Sequence, residues 1–564
     1  MPSLHRITIF AIFAALFLTL PVFSGNPPPL PKIAPPLPII PPGATSRHFP
    51  ELPPTNIPLD PKTVRTESVS SSPYYSTLLY LGLLNSASTT STNAFTVAAN
   101  PAAPLGGQRL HTASTSLSMR TLASGIVGQS WNFTNPPNEQ HQQVEPTIYA
   151  QGFAPGMPTT VVLSQRQTPP VTGNLYSSQT FDFANFSSGY LPMPIPANGQ
   201  TFQQTADPWL AGNPYTIGLH PGWVYASGVA FQRALNEIPN AIVLWHSTDG
   251  GRTWSTPTEA GNNIIVNRNT AYFYDKPAMA INTNTNFLGN VYVAFTKVYL
   301  GNNNLSILSI ARSRDGQTFD PTLDIADIAQ GNLTGAQVVV DNTSGIIYVI
   351  YVDMTSRQVR MASVVDNNSF QPLWVMSTEN VTGIRPGIIN RSDPALNGGV
   401  TAWSLPSAVF FWPTGRICVA WHEHAAQGTD IFFTSKTPNG AWPANPVQLT
   451  NEINDQFMPA MDYDSNDNTL VVGYYDRSYD AGNNISYENT LVVTNDSGST
   501  ILSGPTSMTP GVMYDPTVMP LVSGELGDYQ GIFGWNFPGG PRHNSIYIRA
   551  GSTWAVDAWA TGIQ

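Results

Sequence analysis

A pattern of short strands and one tight turn returns along this chain roughly every 62 residues, a period that marks a repeat architecture. Each copy runs in the same order. A strand opens at proline, a second opens at glycine, a third follows, and a tight turn ends at an aromatic or apolar residue. The fullest copy is Asp207-Pro208-Trp209-Leu210, then GWVYASGVAF (222–231), AIVLW (241–245) and HSTDGGRTW (246–254). The next has Asp275-Lys276-Pro277, GNVYVAFTKV (289–298), LSILSIA and the turn 313–319. Two more begin at Pro406, with GRICVAWHEH (415–424), and at Met458-Pro459, with NTLVVGYYDR (468–477). One fainter copy begins at Glu145-Pro146 and another contains GIIYVIYVDM (345–354); a compressed last one holds GIFGW (531–535) and Trp554. The closing residues fall at 181, 254, 319, 370, 442, 501 and 554.

Runs of four to eight apolar or β-branched residues between turn signals read as strands. Three or four strands per unit, in about seven units, predict an all-β chain folded as a β-propeller of six or seven blades, with seven the count the closing residues give. Radial closure leaves few strand edges open. The composition agrees. Of 564 residues only 10% are charged, against a usual quarter or so, and Gly (45) and Pro (51) are abundant. The net charge is −11 and five residues are Lys, so no basic stripe exists to hold a nucleic acid. A single cysteine, Cys418, excludes an intrachain disulfide and any Cys-based zinc site. It alternates with Ile417 and Val419 and reads as a small core residue.

The first residues carry an address. Arg6 precedes an apolar run of 14 residues (7–20), too short to span a bilayer, with Val22 and Ser24 at the small positions a signal peptidase requires. Residues 1–24 thus read as a secretory signal peptide. The mature chain is then secreted, or held at the cell surface or in the periplasm, with no transmembrane span. Residues 25–70 are Pro-rich and predict an extended linker; 71–135 form a low-complexity neck; 136–564 form the propeller. A monomer is expected.

Residues 247–254, Ser-Thr-Asp-Gly-Gly-Arg-Thr-Trp, resemble the Asp box, the turn repeated in secreted sialidase-like propellers and also called the bacterial neuraminidase repeat. Residues 494–501 keep Asp496, Gly498 and Thr500, and 313–319 are one residue short. The resemblance covers residues 136–564 and implies a sialidase-like propeller. It places Ser247, Asp249, Gly251, Thr253 and Trp254 in a structural turn away from any active face. The chemistry of such a turn is local: Asp249 accepts from its own backbone N–H groups, Gly251 supplies an unusual backbone conformation, and Trp254 folds back between blades.

The resemblance also implies exo-sialidase-like glycoside hydrolase chemistry: an arginine cluster for the sugar carboxylate, a Tyr nucleophile with a Glu, and an Asp acid/base. The family's first-blade Arg-Ile-Pro corresponds here to Val144-Glu145-Pro146, which lacks the arginine. Arg385, Arg477 and Arg542 match no motif. Carboxylates stand at the strand entrances instead: Glu145, Asp207 and Asp275, with Asp528-Tyr529 in the last repeat. If they meet at one mouth, they serve acid/base glycoside hydrolysis or bind a hard cation; otherwise each caps its own strand. No cofactor is expected beyond a structural calcium ion. His422 and His424 share one strand face, as a zinc pair does, but no third ligand can be named. Residues 462–467 begin like a calcium loop but lack its Gly and final Glu, so a polar hairpin reads better. Two functions follow: a secreted sialidase-like propeller acting on or binding an extracellular glycan, or a non-catalytic binding or adhesion propeller on a Pro-rich stalk.

Overall fold

The computed structural model describes residues 127–132 and, apart from short intervals, 142–563. The residues expected to form the signal peptide, the Pro-rich linker and most of the neck lie outside the described residues, as does Arg542.

Five sheets are four-stranded antiparallel meanders, each in chain order. They are β6–β9 (Gln204–Gly212, Val224–Phe231, Asn240–Ser247, Ile264–Asn267) and β10–β13 (Tyr272–Ile281, Val291–Tyr299, Ser306–Ser313, Leu323–Ala326). Then come β14–β17 (Leu333–Asp341, Ile346–Asp353, Gln358–Val365, Trp374–Asn380) and β18–β21 (Ser407–Phe411, Arg416–Ala425, Gly428–Lys436, Val447–Gln448). The fifth is β22–β25 (Gln456–Asp464, Thr469–Asp476, Glu488–Thr494, Ile501–Ser507).

The sixth sheet has eight strands and holds both ends of the repeat. Its one half is β2–β5 (Gln142–Ala154, Met157–Thr168, Thr172–Thr180, Phe186–Tyr190). The other is β26–β28 (Gly531–Gly534, His543–Ala550, Val556–Ile563), completed by β1 (Val127–Asn132) on β28. The halves join by a parallel pair, Gln142 with Val556.

The fold is therefore an all-β, six-bladed propeller. The expected seventh blade is corrected: the last repeat is hydrogen-bonded to the first, so the repeats make six sheets. The propeller also begins earlier than residue 136. Residues 127–132 of the expected neck are an integral strand, antiparallel to β28.

Apolar side chains fill the space between successive sheets. Val161, Leu175, Val224 and Trp245 pack β2–β4 against β6–β8. Val229, Leu244, Val293 and Phe295 join the next pair, and further clusters follow round the ring to Ala460 and Ile532. Inner strands buried on both faces explain why the repeat's middle strands read as nearly continuous apolar runs rather than alternating ones.

The turn at residues 247–254 docks its blade on the one before, where its Gly250 carbonyl accepts from Thr159 Oγ1 (2.7 Å). Asp249 Oδ1 accepts from Ser247 Oγ (2.8 Å) and Thr253 N (2.9 Å), and Oδ2 from Thr253 Oγ1 (2.7 Å). Burial pushes the Asp249 carboxyl up, but these hydrogen bonds outweigh it and hold the group below its ordinary value. Trp254 packs, partly buried, on the core shared by β2–β4 and β6–β8. The turn at 313–319 repeats the arrangement about Asp315, with Thr318 N at 2.6 Å and Thr318 Oγ1 at 2.6 Å. At 494–501 the expected residue is corrected. Asn495, not Asp496, accepts from within the turn (Ser497 Oγ, 3.0 Å), while Asp496 reaches out to Thr414 Oγ1 at 2.6 Å.

Candidate functional site

The first strand of five sheets carries the same bulge. Pairing skips two residues between Val144 and Thr147, Ala206 and Trp209, Asp275 and Ala278, Thr334 and Gln337, and Phe457 and Ala460. The skipped pairs are Glu145-Pro146, Asp207-Pro208, Lys276-Pro277, Gly335-Ala336 and Met458-Pro459. The first residue of each pair is left-handed, with φ of 53°, 52°, 49°, 68° and 52°. Proline suits the second position because the skipped residue has no ladder bond to donate.

The bulges bring the expected residues together. Glu145, Asp207, Asp275 and Asp528 are all buried, and the ammonium group of Lys276 stands among them. Lys276 Nζ is ion-paired with Asp528 and lies 3.8 Å from Glu145 Oε1. The Asp528 backbone N–H donates to Glu145 Oε1 (3.2 Å). Tyr529 donates its hydroxyl to the carbonyl of Pro208 (2.7 Å) and packs its ring against Trp209 (5.6 Å). Gln530 donates to the Met458 carbonyl (2.7 Å), tying the last repeat to the neighbouring β22.

The charges divide unequally. Burial, then the neighbouring Asp207, push the Glu145 carboxyl well up. Burial also penalises Asp207, but Lys276 and hydrogen bonds with Asp275 and Glu145 hold it down. Glu145 Oε2 and Asp207 Oδ2 receive no donor from any other group. The two carboxyls are thus shifted in opposite directions, Glu145 being the readier of the two to hold a proton. Lys276 is penalised by burial, yet the four carboxylates, Asp528 foremost, hold it charged. Burial and the same carboxylates push the Tyr529 hydroxyl well up. A tyrosine so placed, with its proton already donated to a carbonyl, is a poor nucleophile.

The space beside this cluster is small. A cavity of about 30 Å³ is bounded by Trp209, Lys276, Gln337, Ser407, Asp528 and Tyr529. It admits about two or three waters, since each needs roughly 10–15 Å³. Ligand pockets run to roughly 300–1,000 Å³. The segment 381–406, between β17 and β18, brings Trp403 over Lys276, 5.3 Å from nitrogen to ring centre. Three sheets hold this strap. Arg357 grips both Asp393 oxygens (2.7 and 2.8 Å). Arg385 pairs with Glu423, and the His424 backbone N–H donates to the Gly387 carbonyl (2.7 Å). Arg477 donates to the Asn397 carbonyl (2.9 Å).

The other candidates resolve locally. Arg477, fully buried, pairs with Asp455 at 3.1 Å, so neither it nor Arg385 is free for a sugar carboxylate. His422 is buried between the Ala402 carbonyl (3.4 Å) and the Met458 N–H (3.3 Å), and burial takes its pKa to about 4. His424 instead faces Thr429 (3.3 Å). Among the described residues no three Asp, Glu, His or Cys side chains gather to hold a metal ion, so neither the zinc pair nor a calcium site in these carboxylates is found. No helix among them is long and apolar enough to cross a membrane. Lys276 is the residue the sequence reading passed over. Its signal was present: it occupies the position before proline that Glu145 and Asp207 occupy in their repeats.

No family model matches the chain, and no curated protein is similar to it. Solved structures align with part of this chain. An α-L-arabinanase of Penicillium chrysogenum, complexed with arabinobiose, aligns over 62% of this chain and 94% of its own at 13% identity and a TM-score of 0.39. A Hadza microbial sialidase aligns over 59% of this chain and 63% of its own (11%, 0.36), and the Aleuria aurantia lectin over 65% and 97% (13%, 0.35). These are likenesses of fold.

Proposed function

We propose that this chain is a secreted, sialidase-like propeller that binds an extracellular glycan without hydrolysing it at the axis. One observation carries the reading: the axial carboxylates enclose a lysine beside a cavity of about 30 Å³, under a strap pinned to three sheets. A glycosidase pair needs a sugar and a water between its carboxyl groups; here an ammonium ion fills that place. Fold alone does not choose between enzyme and binder. The turn at 247–254 supports the sialidase-like assignment, and the acidic balance supports a neutral glycan over a nucleic acid. The stacked rings of His220, Trp223 and His246, 3.7 and 4.5 Å apart and partly exposed, offer an aromatic surface for a sugar.

A glycan array and a broad glycosidase screen of the full chain test this. Binding without turnover, reduced in Trp223→Ala, is the expected result. The opposed shifts of the Glu145 and Asp207 carboxyls favour a second reading, glycoside hydrolysis with the strap lifted. Turnover abolished by Asp207→Asn would establish that reading and overturn the first.

A further inference from the structure

A second group of buried oxygens lies away from the axis, between the sheets β18–β21 and β22–β25. Gln456 opens β22, Asp476 ends β23, and the two are direct cross-strand partners. Tyr474 lies two residues before Asp476 and so shares its face of the sheet. Gln456 and Tyr474 are fully buried and Asp476 nearly so. Each keeps an oxygen without a partner: Gln456 Oε1, Tyr474 Oη and Asp476 Oδ2.

The orientation of Gln456 is fixed. Its Nε2 donates to the Asn454 carbonyl (3.2 Å) and to Asp476 Oδ1 (3.2 Å), so Oε1 is left facing elsewhere. Asp476 Oδ1 also accepts from Ser478 N (2.8 Å), which leaves Oδ2 as the unused oxygen. A buried polar oxygen without a partner costs about 1–3 kcal/mol, and three on one sheet face call for a common partner.

The surroundings say what kind. The charges acting on Tyr474 include Asp476, Glu452 and Asp430, all negative. Among the described residues no Lys or Arg is paired with any of these three; Arg477, the next residue along, is committed to Asp455 and Asn397. Calcium takes six to eight oxygens, usually with several carboxylates among them, and among the described residues no three Asp, Glu, His or Cys side chains gather to hold a metal ion. A monovalent ion is satisfied by one carboxylate and neutral oxygens.

We infer that Gln456, Tyr474 and Asp476 form a binding site for an alkali-metal cation, held by one carboxylate and two neutral oxygens in the field of Glu452 and Asp430. Such an ion locks β22 to β23 where the fourth and fifth meanders meet. It acts on stability rather than on the axial cluster.

Thermal melts of the full chain in sodium, potassium and choline chloride at equal ionic strength test the site. The melting temperature is expected to rise with sodium or potassium concentration to a plateau, and not with choline. Asp476→Asn should lose that rise. Glu452→Gln, a change at a partly exposed residue, should fold normally and shift the half-point to higher cation concentration. Equal melting temperatures in all three salts would overturn the site. So would a response to calcium without one to alkali ions, or a full alkali response retained in Glu452→Gln.

Discussion

Glu145, Asp207, Lys276 and Met458 hold a left-handed backbone directly before proline. That conformation costs a residue with a side chain about 1–2 kcal/mol, and proline narrows the choice further. Strain of this kind survives where the surroundings over-determine it. Three of the four side chains do so by joining one ion cluster, and the fourth offers its carbonyl to Gln530. Glu145 makes the cluster testable by pH. Its pKa is raised by burial and by Asp207, so its protonated form contributes stability that is complete below the ordinary glutamate value of about 4.3. That contribution is lost as pH rises through the raised value. Asp207 is held down and works in the opposite sense, its contribution present above the ordinary aspartate value and lost as pH falls. Glu145→Gln keeps a neutral donor in place. Between about pH 5 and pH 8 its urea midpoint should therefore fall less than that of the wild type, and it should equal or exceed the wild type at the upper end. A variant whose midpoint runs parallel to the wild type throughout would show that Glu145 is ionised over the whole range.

At the scale of elements, the closing turns work by close approach. Gly251 lies at φ 95°, and a Cβ there would meet Val161 Cγ2 at 2.5 Å. Gly316 stands in the same way against Tyr225, and Gly498 against Phe433, each a residue of the preceding blade. Gly251→Ala should thus cost about 2 kcal/mol, from backbone strain and from displacing Val161, seen as a lower urea midpoint at unchanged slope. A loss below about 0.5 kcal/mol, the range of an ordinary surface change, would mean the turn is not docked. These turns were legible because their Ser, Asp, Gly and Thr bond within a few residues of one another. Asn495 was misread because the spacing of Asp496, Gly498 and Thr500 fits the motif one residue out of register, and either Asn or Asp can serve as the local acceptor. The axial bulges were half legible. Proline marked four of the five, but Gly335-Ala336 has no proline, and in the β10 copy Asp275 drew attention from Lys276 beside it. The strap 381–406 gave no signal, because its anchors at Arg357, Glu423, His424 and Arg477 are distant in sequence.

At the scale of the molecule, the ring closes through its first and last strands. A pattern of seven closing residues counts repeats; whether two repeats share hydrogen bonds depends on strand ends brought together from opposite ends of the chain, which no local pattern encodes. Closure also recruits β1, a six-residue strand that begins with neither proline nor glycine. Its partners run from Val127 with Ile563 to Asn132 with Trp559, so it covers the edge that β28 would otherwise present. An open edge is both a loss of pairing and a template for other chains. A chain beginning at residue 136 should accordingly melt below one beginning at residue 127, and should self-associate as its concentration rises. Each kcal/mol lost shifts the melting point by about 2–4 °C in a domain of 150–250 residues, and by less in one this large. The comparison isolates β1, because both chains lack everything before residue 127. Equal melting temperatures, with both chains monomeric by light scattering, would show that the propeller closes without β1 and that the edge of β28 is protected in some other way.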